Sequence, residues 1–132
     1  MTEGTLALIK HRLKQADDSV EEAKVLLKEK MSPRAVMNRL YYAMFYAVLA
    51  LLQEKQLGTS KHIGAISLFD KEFIKTAIFD KGMSKALHRT FELRQKGDYM
   101  EQAEVTKKDV DEILPEAINF VNKIKEYLLT RQ

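Results

Sequence analysis

Hydrophobic residues in the first thirty positions recur every three or four residues with charged residues between them, at Leu6, Ile9, Leu13, Ala16, Val20, Ala23 and Leu27. This spacing predicts an amphipathic helix over residues 5–30. A second helix is predicted from Pro33, which follows the capping hydroxyl of Ser32, to about Gln56. Within it, Leu40–Leu52 is apolar or aromatic at every position. The other helices must therefore surround this segment.

A third, shorter helix is predicted after Gly58, with the hydroxyl of Thr59 or Ser60 as its cap. Lys61 and His62 then lie in its first turn.

A fourth helix is predicted to start in the region of Gly82 and Ser84 and to end close to Asp98 and Tyr99, with Gly97 as its stop signal, because glycine commonly follows the last residue of a helix. The chain contains no β-type alternation longer than four residues, no hairpin dipeptide between apolar runs, no internal repeat and no glycine-rich phosphate loop. The fold is therefore expected to be all-α.

The fifth helix is predicted from Thr106, since Asp109 follows it at the spacing of a capping box. Its apolar positions are Val110, Ile113, Ala117, Val121, Ile124 and Leu128. Pro115 lies inside this pattern and is predicted to bend the helix or delay its start, because proline has no backbone N–H. Long first, second and fifth helices with short connections predict an up-and-down antiparallel bundle of about five helices, formed by residues 1–132 as a single domain.

Composition narrows the possible chemistry. The 132 residues are 45% hydrophobic and 31% charged, with no cysteine, which excludes disulfides, thiolate metal sites and cysteine nucleophiles. The histidines at 11, 62 and 88 lack the spacing of paired metal ligands, so neither a metal nor a cofactor is expected. A net charge of +3 permits a nucleic-acid partner without requiring one.

No signal or transit peptide pattern is present at the start of the sequence. The apolar segment Leu40–Leu52 is also shorter than the roughly 20 residues that cross a bilayer. A cytoplasmic protein without a membrane contact is therefore expected.

Three polar clusters interrupt the apolar plan near predicted helix ends. They are Asn38 with Arg39 and Tyr42, Lys61 with His62, and Arg94 with Asp98 and Tyr99. A spacing of four places Asn38 and Tyr42 on one helix face, and the same holds for Arg94 and Asp98. Each helix can thus present a small polar group inward, and together the eight residues are the predicted nucleotide- or phosphate-binding site.

The segments NRLYYAMF, KH and RQKGDY, read in order, resemble the HEPN superfamily (higher eukaryotes and prokaryotes nucleotide-binding). The match is to its small prokaryotic branch with a YYAxF second helix and a later RxxxDY segment. The resemblance implies a helical bundle that usually dimerises and is often encoded beside, or fused to, a minimal nucleotidyltransferase. Many members are metal-independent ribonucleases in toxin–antitoxin or defence systems.

Those ribonucleases carry an arginine, four to six residues and then a histidine. Metal-free RNA cleavage needs a group that titrates near neutral pH and a cation that stabilises the transition state. Here the positions that follow Arg94 at this spacing are Tyr99, Met100 and Glu101. The windows upstream of His62 and His88 hold no arginine, so the usual ribonuclease site is predicted to be absent.

Three functions remain open. The preferred one is a nucleotide- or RNA-binding module that homodimerises and is the partner of a minimal nucleotidyltransferase in a toxin–antitoxin-like or defence system. The alternative is a divergent metal-independent endoribonuclease that uses His62 with Arg94 or Arg39. The third is a purely structural dimerisation scaffold.

Each candidate residue also has a purely structural interpretation. The imidazole of His62 would bond to Tyr42, Asp98 or a backbone carbonyl, and Arg94 would form an ion pair with Asp98. The aromatic residues Tyr41, Tyr42, Phe45 and Tyr46 are predicted to be core residues and not a base-stacking platform. Among them, only Tyr42 is expected to reach a polar pocket with its hydroxyl.

Overall fold

The computed structural model describes residues 2–59, 61–99 and 104–131, with the side chains of Asp98 and Tyr99 left undescribed. These ranges form five α-helices and one π-helical turn, and they contain no β-strand. The elements are α1 (Glu3–Lys28), α2 (Pro33–Glu54), α3 (His62–Phe69), the π-helical turn (Asp70–Ile74), α4 (Lys81–Tyr99) and α5 (Lys107–Leu129). The all-α bundle predicted from the sequence is confirmed.

Two of the predicted caps are present. The Oγ atom of Ser32 accepts a hydrogen bond from the backbone N–H of Ala35 at 3.2 Å, with Pro33 at the first helical position. Thr106 and Asp109 form the full capping box at the start of α5. Both of these helix starts are therefore fixed by side chains within three residues of the N–H groups that they cap.

The ends of α1 and α2 fall slightly earlier than predicted. Each helix is followed by a residue with a left-handed backbone, Lys30 with φ 58° and Gln56 with φ 57°. After α2, the N–H of Gln56 donates to the carbonyl of Gln53, and the N–H of Leu57 donates to that of Leu52. This is the Schellman pattern, which bonds the last carbonyls and turns the chain out of the helix.

The predicted starts of α3 and α4 are wrong in detail. At α3 the cap residue is Lys61, which makes no side-chain capping bond, while Thr59 accepts the N–H of Lys61 itself. Ser60 lies outside the described residues. At α4 the cap is the carboxylate of Asp80, which accepts the N–H of Met83. The predicted cap is therefore wrong at α4 and, for Thr59, at α3, because several polar side chains stand within one turn of each helix start.

Helix α4 ends at Tyr99, where the sequence placed its end, but Gly97 lies inside the helix and is not its stop signal. This glycine has no left-handed backbone. A Cβ atom at this position would lie 2.8 Å from Cγ of Arg34 and 3.2 Å from Cγ2 of Val105. The glycine thus allows close packing inside the helix. Pro115 does not delay α5 either, because the helix begins eight residues earlier at Lys107.

Helix α2 forms the centre of the core. It packs against α1, α3, α4 and α5. Its completely buried side chains include Leu40, Tyr41, Met44 and Leu51. By length and hydropathy α2 also suits a membrane span, but 67% of that stretch is buried inside the bundle. This is the burial expected of a core helix.

Candidate functional site

Tyr41 and Tyr42 leave the same turn of α2 in different directions. Consecutive side chains on a helix are about 100° apart, so Tyr41 is completely buried while Tyr42 is half-buried at the bundle surface. Their ring centroids are 5.4 Å apart with an interplanar angle of 73°. The pair forms the base of the candidate site, between the buried core and the surface.

Two arginines from different helices contact the ring of Tyr42. The guanidinium carbon of Arg39, one turn earlier on α2, lies 5.2 Å from the ring centroid. That of Arg94, on α4, lies 5.3 Å from the same centroid and 5.5 Å from that of Tyr41. Arg94 also donates a hydrogen bond to the Tyr42 hydroxyl at 3.3 Å. All three distances from a guanidinium carbon to a ring centroid are typical of cation–π contacts.

Arg39 is oriented by polar neighbours on its other side. Its Nη2 and Nε atoms donate to Oδ1 of Asn38 at 2.9 and 3.2 Å, and its Nη1 atom donates to Glu22 of α1 at 3.3 Å. The side chain keeps 29% of its surface exposed. Asn38 therefore contributes by holding the guanidinium of Arg39, which a ligand can still reach from solvent.

His62 joins this group from the start of α3. Its Nδ1 atom lies 2.7 Å from the Tyr41 hydroxyl. The imidazole stacks on Phe45, with centroids 4.3 Å apart and an angle of 11°, and meets Tyr42 edge-on at 5.7 Å. Two α2 residues, Phe45 and Tyr42, thus pack against the imidazole ring.

The sequence prediction placed His62 against Tyr42, Asp98 or a backbone carbonyl. Among the described side chains its hydrogen-bond partner is Tyr41 and not Tyr42, while the Asp98 alternative lies outside the described part of the chain. The prediction that Tyr42 alone among these rings uses its hydroxyl in a polar contact is also wrong. Tyr41 stands in an unbroken apolar run, and nothing in the sequence marks it as polar in function. Only the docking of α3 on α2 reveals the contact.

The electrostatics of the site favour a neutral histidine. Burial lowers the pKa of His62 from its ordinary value, and the positive charge of Arg94 lowers it further. Burial raises the pKa of the Tyr41 hydroxyl far above its usual range. At neutral pH the site therefore contains an uncharged imidazole, an un-ionised tyrosine and two guanidinium cations.

The structure says less about the other predicted site residues, Lys61, Asp98 and Tyr99. Lys61 is exposed immediately before His62. The side chains of Asp98 and Tyr99 lie outside the described part of the chain, and so does the predicted ion pair between Arg94 and Asp98. The structure thus brings Asn38, Arg39, Tyr42, His62 and Arg94 together, with Tyr41 and Phe45 as additional members.

An open groove of about 430 Å³ adjoins Arg39, lined by Leu26, Arg34, Ala35, Asn38 and Arg39. The guanidinium groups of Arg34 and Arg39 and the amide of Asn38 line this groove. Within the described ranges, no three histidine or acidic side chains are grouped so as to hold a metal ion. The chemistry of this face suits an anion with a planar portion, because guanidinium groups bind phosphate oxygens and aromatic rings stack on bases.

A second polar cluster joins the π-helical turn to α4. The carboxylate of Asp70 accepts a hydrogen bond from Ser84 at 2.7 Å through one oxygen and lies 2.7 Å from Nε2 of His88 through the other. The carboxylate thus stands between the serine and the histidine. This order differs from that of a catalytic triad, in which the histidine lies between the nucleophile and the carboxylate. The cluster therefore links the π-helical turn to α4 structurally, and the sequence analysis did not predict it.

Comparison with known proteins finds one matching family model and several relatives that align over most of the chain. A family model described as HEPN domain matches residues 9–127. A "UPF0332 protein" of Thermotoga maritima is 38% identical over 121 residues, which cover 92% of this chain and 91% of the relative. Two proteins of Methanocaldococcus jannaschii, each named "Putative toxin", are 34% and 33% identical over 119 and 113 residues. These alignments cover 90% and 86% of this chain, and 80% and 83% of the relatives.

Proposed function

Because the chain belongs to the HEPN domain family, we propose that it is a cytoplasmic nucleotide- or RNA-binding module of a toxin–antitoxin-like system. Phosphate is bound by Arg39, His62 and Arg94, with Lys61 at the rim. The sequence similarity to two proteins named "Putative toxin" supports the type of system. The guanidinium groups and aromatic rings of the site support a nucleotide or RNA as the ligand.

The observation that carries this proposal is the convergence of Arg39 and Arg94 on one ring. Two guanidinium groups meet on the same tyrosine, and Arg39, although its Nη1 atom is paired with Glu22, remains accessible from solvent. A phosphate group placed there makes charge-assisted hydrogen bonds to forked donors. An adjacent base can stack against an aromatic ring or a guanidinium plane.

A salt-dependent binding titration tests the proposal. Single-stranded RNA is titrated into the wild type, Arg39→Gln and Arg94→Gln at several salt concentrations. Each substitution should weaken binding and reduce the slope of log affinity against log salt by about 1, because one phosphate contact is lost.

Arg12→Gln is the matched control. Arg12 is on α1, where its guanidinium bonds to Gln15 at 2.9 Å. It lies ten residues, or about 15 Å along the helix, from the Glu22 that contacts Arg39. Equal losses in all three variants would indicate unspecific charge attraction. No salt-sensitive binding in the wild type would favour the purely structural scaffold.

We propose a minimal nucleotidyltransferase as the partner protein and a homodimer as the active form. Toxin–antitoxin systems work through a second protein that neutralises the first, and the family resemblance implies a nucleotidyltransferase in that place. Expression of this chain alone should slow growth, and co-expression with a minimal nucleotidyltransferase from the same genome should restore it. Normal growth in both cases would contradict the toxin role.

A second candidate is a divergent metal-independent endoribonuclease. One observation favours it, since Arg94 is close enough to His62 to lower its pKa and both side chains contact Tyr41 and Tyr42. A base and a cation thus meet from separate helices although the usual sequence spacing is absent. RNA cleavage in the presence of a chelator, lost in His62→Gln and kept in Arg12→Gln, would support this candidate over binding alone.

A further inference from the structure

We propose that Tyr41 is a positioning residue that holds His62 as the neutral tautomer with its proton on Nε2. His62 then serves the phosphate site as a hydrogen-bond donor and not as a proton acceptor. The tautomer follows from the contacts of the unliganded chain. Its use on phosphate rests on the proposed function.

The argument begins with the hydroxyl proton of Tyr41. The side chain is completely buried, and burial raises its pKa far above the usual range, so the proton is retained. A buried hydroxyl proton needs an acceptor. Nδ1 of His62, at 2.7 Å, is the acceptor that the described structure provides.

The other groups packed on the Tyr41 ring are poor acceptors for this proton. Phe45 and Phe91 have no polar atoms, and Arg94 carries only donors. The Tyr42 hydroxyl oxygen accepts from Arg94, and the hydrogen bonds of the described residues include none between it and the Tyr41 hydroxyl. If Nδ1 of His62 carried a proton, two protons would compete for one contact, and the hydroxyl proton would lose its partner.

A neutral imidazole carries one proton, so an unprotonated Nδ1 requires a protonated Nε2. The charge environment agrees with a neutral ring. Arg94 from α4 opposes a second proton on His62. The residues that α2 places against the ring, Tyr41, Tyr42 and Phe45, carry no negative charge at neutral pH, and the neighbouring Lys61 is a cation.

The packing of the ring fixes the orientation as well as the tautomer. Phe45 is stacked on the ring at 4.3 Å, which restricts tilting, and the bond to Tyr41 prevents a flip that would exchange Nδ1 with a carbon. Nε2–H is therefore the group that His62 offers to a ligand. It donates to a phosphate oxygen, whereas base catalysis through Nε2 first requires breaking the Tyr41 contact.

Long-range ¹H–¹⁵N NMR of the imidazole rings in the unliganded full chain tests the tautomer. The His62 signals are identified by their loss in His62→Gln. The wild type should show an unprotonated Nδ1 and a protonated Nε2. In Tyr41→Phe the His62 signals should shift toward a mixture of tautomers, and the pKa of His62 should rise, because the donor to the neutral form is gone.

Tyr46→Phe is the matched control, since it removes a hydroxyl from another tyrosine of α2, one that is only half-buried. It should leave the His62 spectrum unchanged. A protonated Nδ1 in the wild type, or unchanged tautomers in Tyr41→Phe, would overturn the proposal. Because no ligand is present, this outcome is independent of whether the chain binds RNA.

The use of Nε2–H on phosphate is tested by adding adenosine monophosphate to the same samples. The wild-type Nε2–H signal should shift on binding, and the shift should disappear in Arg94→Gln at the same concentration. Binding of the nucleotide without any change at Nε2–H would overturn the donor role while the tautomer assignment stands on the unliganded spectra.

Discussion

Arg94 donates a hydrogen bond to the hydroxyl of Tyr42 across 52 positions of sequence. The same guanidinium lies over the Tyr42 ring, so the contact is both polar and aromatic. It joins α4 to α2 at the candidate site. The contact that stabilises the packing of these two helices is thus also part of the proposed phosphate-binding group.

Two substitutions of Tyr42 should separate its ring from its hydroxyl. Tyr42→Phe keeps the ring and loses one long hydrogen bond, so it should lower the free energy of unfolding by about 1 kcal/mol or less. Tyr42→Ala also removes half-buried aromatic surface and should cost about 2 kcal/mol. Urea denaturation measures both values. Equal losses would mean that the ring contributes nothing to the packing.

His62 should make stability depend on pH. Its pKa in the folded chain is lowered by burial and by Arg94, so the unfolded chain takes up this proton first as the pH falls. The free energy of unfolding should therefore decrease as the pH drops through about 6.5, the ordinary value for histidine, toward the lower folded pKa.

Urea denaturation of the wild type and His62→Gln across this pH range isolates the effect, because the substitution leaves His11 and His88 in place. The difference between the two proteins should change with pH in the window below 6.5. A constant difference would show that His62 titrates alike in the folded and unfolded chains.

The capping box of α5 gives a third prediction. Thr106→Ala removes the acceptor for the N–H of Asp109 and should cost about 1 kcal/mol at neutral pH. Thr76→Ala is the control, since that exposed hydroxyl donates to the carbonyl of Glu72 and caps no N–H. A loss in the control as large as in Thr106→Ala would contradict the capping role.

Asp109 makes the same box sensitive to acid. The hydrogen bond from the backbone of Thr106 lowers the pKa of its carboxyl in the folded chain. The resulting stabilisation is complete above the ordinary pKa of an aspartate and is lost as the pH falls through that value to the lower folded pKa. In Asp109→Asn, thermal denaturation should show a smaller loss of stability over that acid range than in the wild type.

The left-handed residue after α2 offers a stabilising change. Gln56 has φ 57°, which is unfavourable for a residue with a Cβ atom, so Gln56→Gly should raise the free energy of unfolding by about 1 kcal/mol. Gln53→Gly, inside the same helix, should lower it by about 1 kcal/mol. Changes of the same sign in both variants would contradict this account of the helix end.

The sequence predicted five helices because the apolar spacing and the caps are local signals. Ser32 with Pro33, and Thr106 with Asp109, act within one turn of their own helix, and each works as predicted. The predicted role of Gly97 failed because its environment is not local. The chain meets Arg34 at that point, and this contact exists only after α2 and α4 have packed.

For the candidate site, too, the sequence predicted the local features and the tertiary structure decided the contacts between helices. Residue type and helical spacing identified Arg39, Tyr42, His62 and Arg94, because polar groups at the ends of apolar helices stand out along a sequence. Only the tertiary structure decided that Tyr41 bonds to His62 and that Arg39 and Arg94 share one ring. Contacts between α2, α3 and α4 depend on the distance and rotation of whole helices, which packing of the complete core sets and local sequence does not encode.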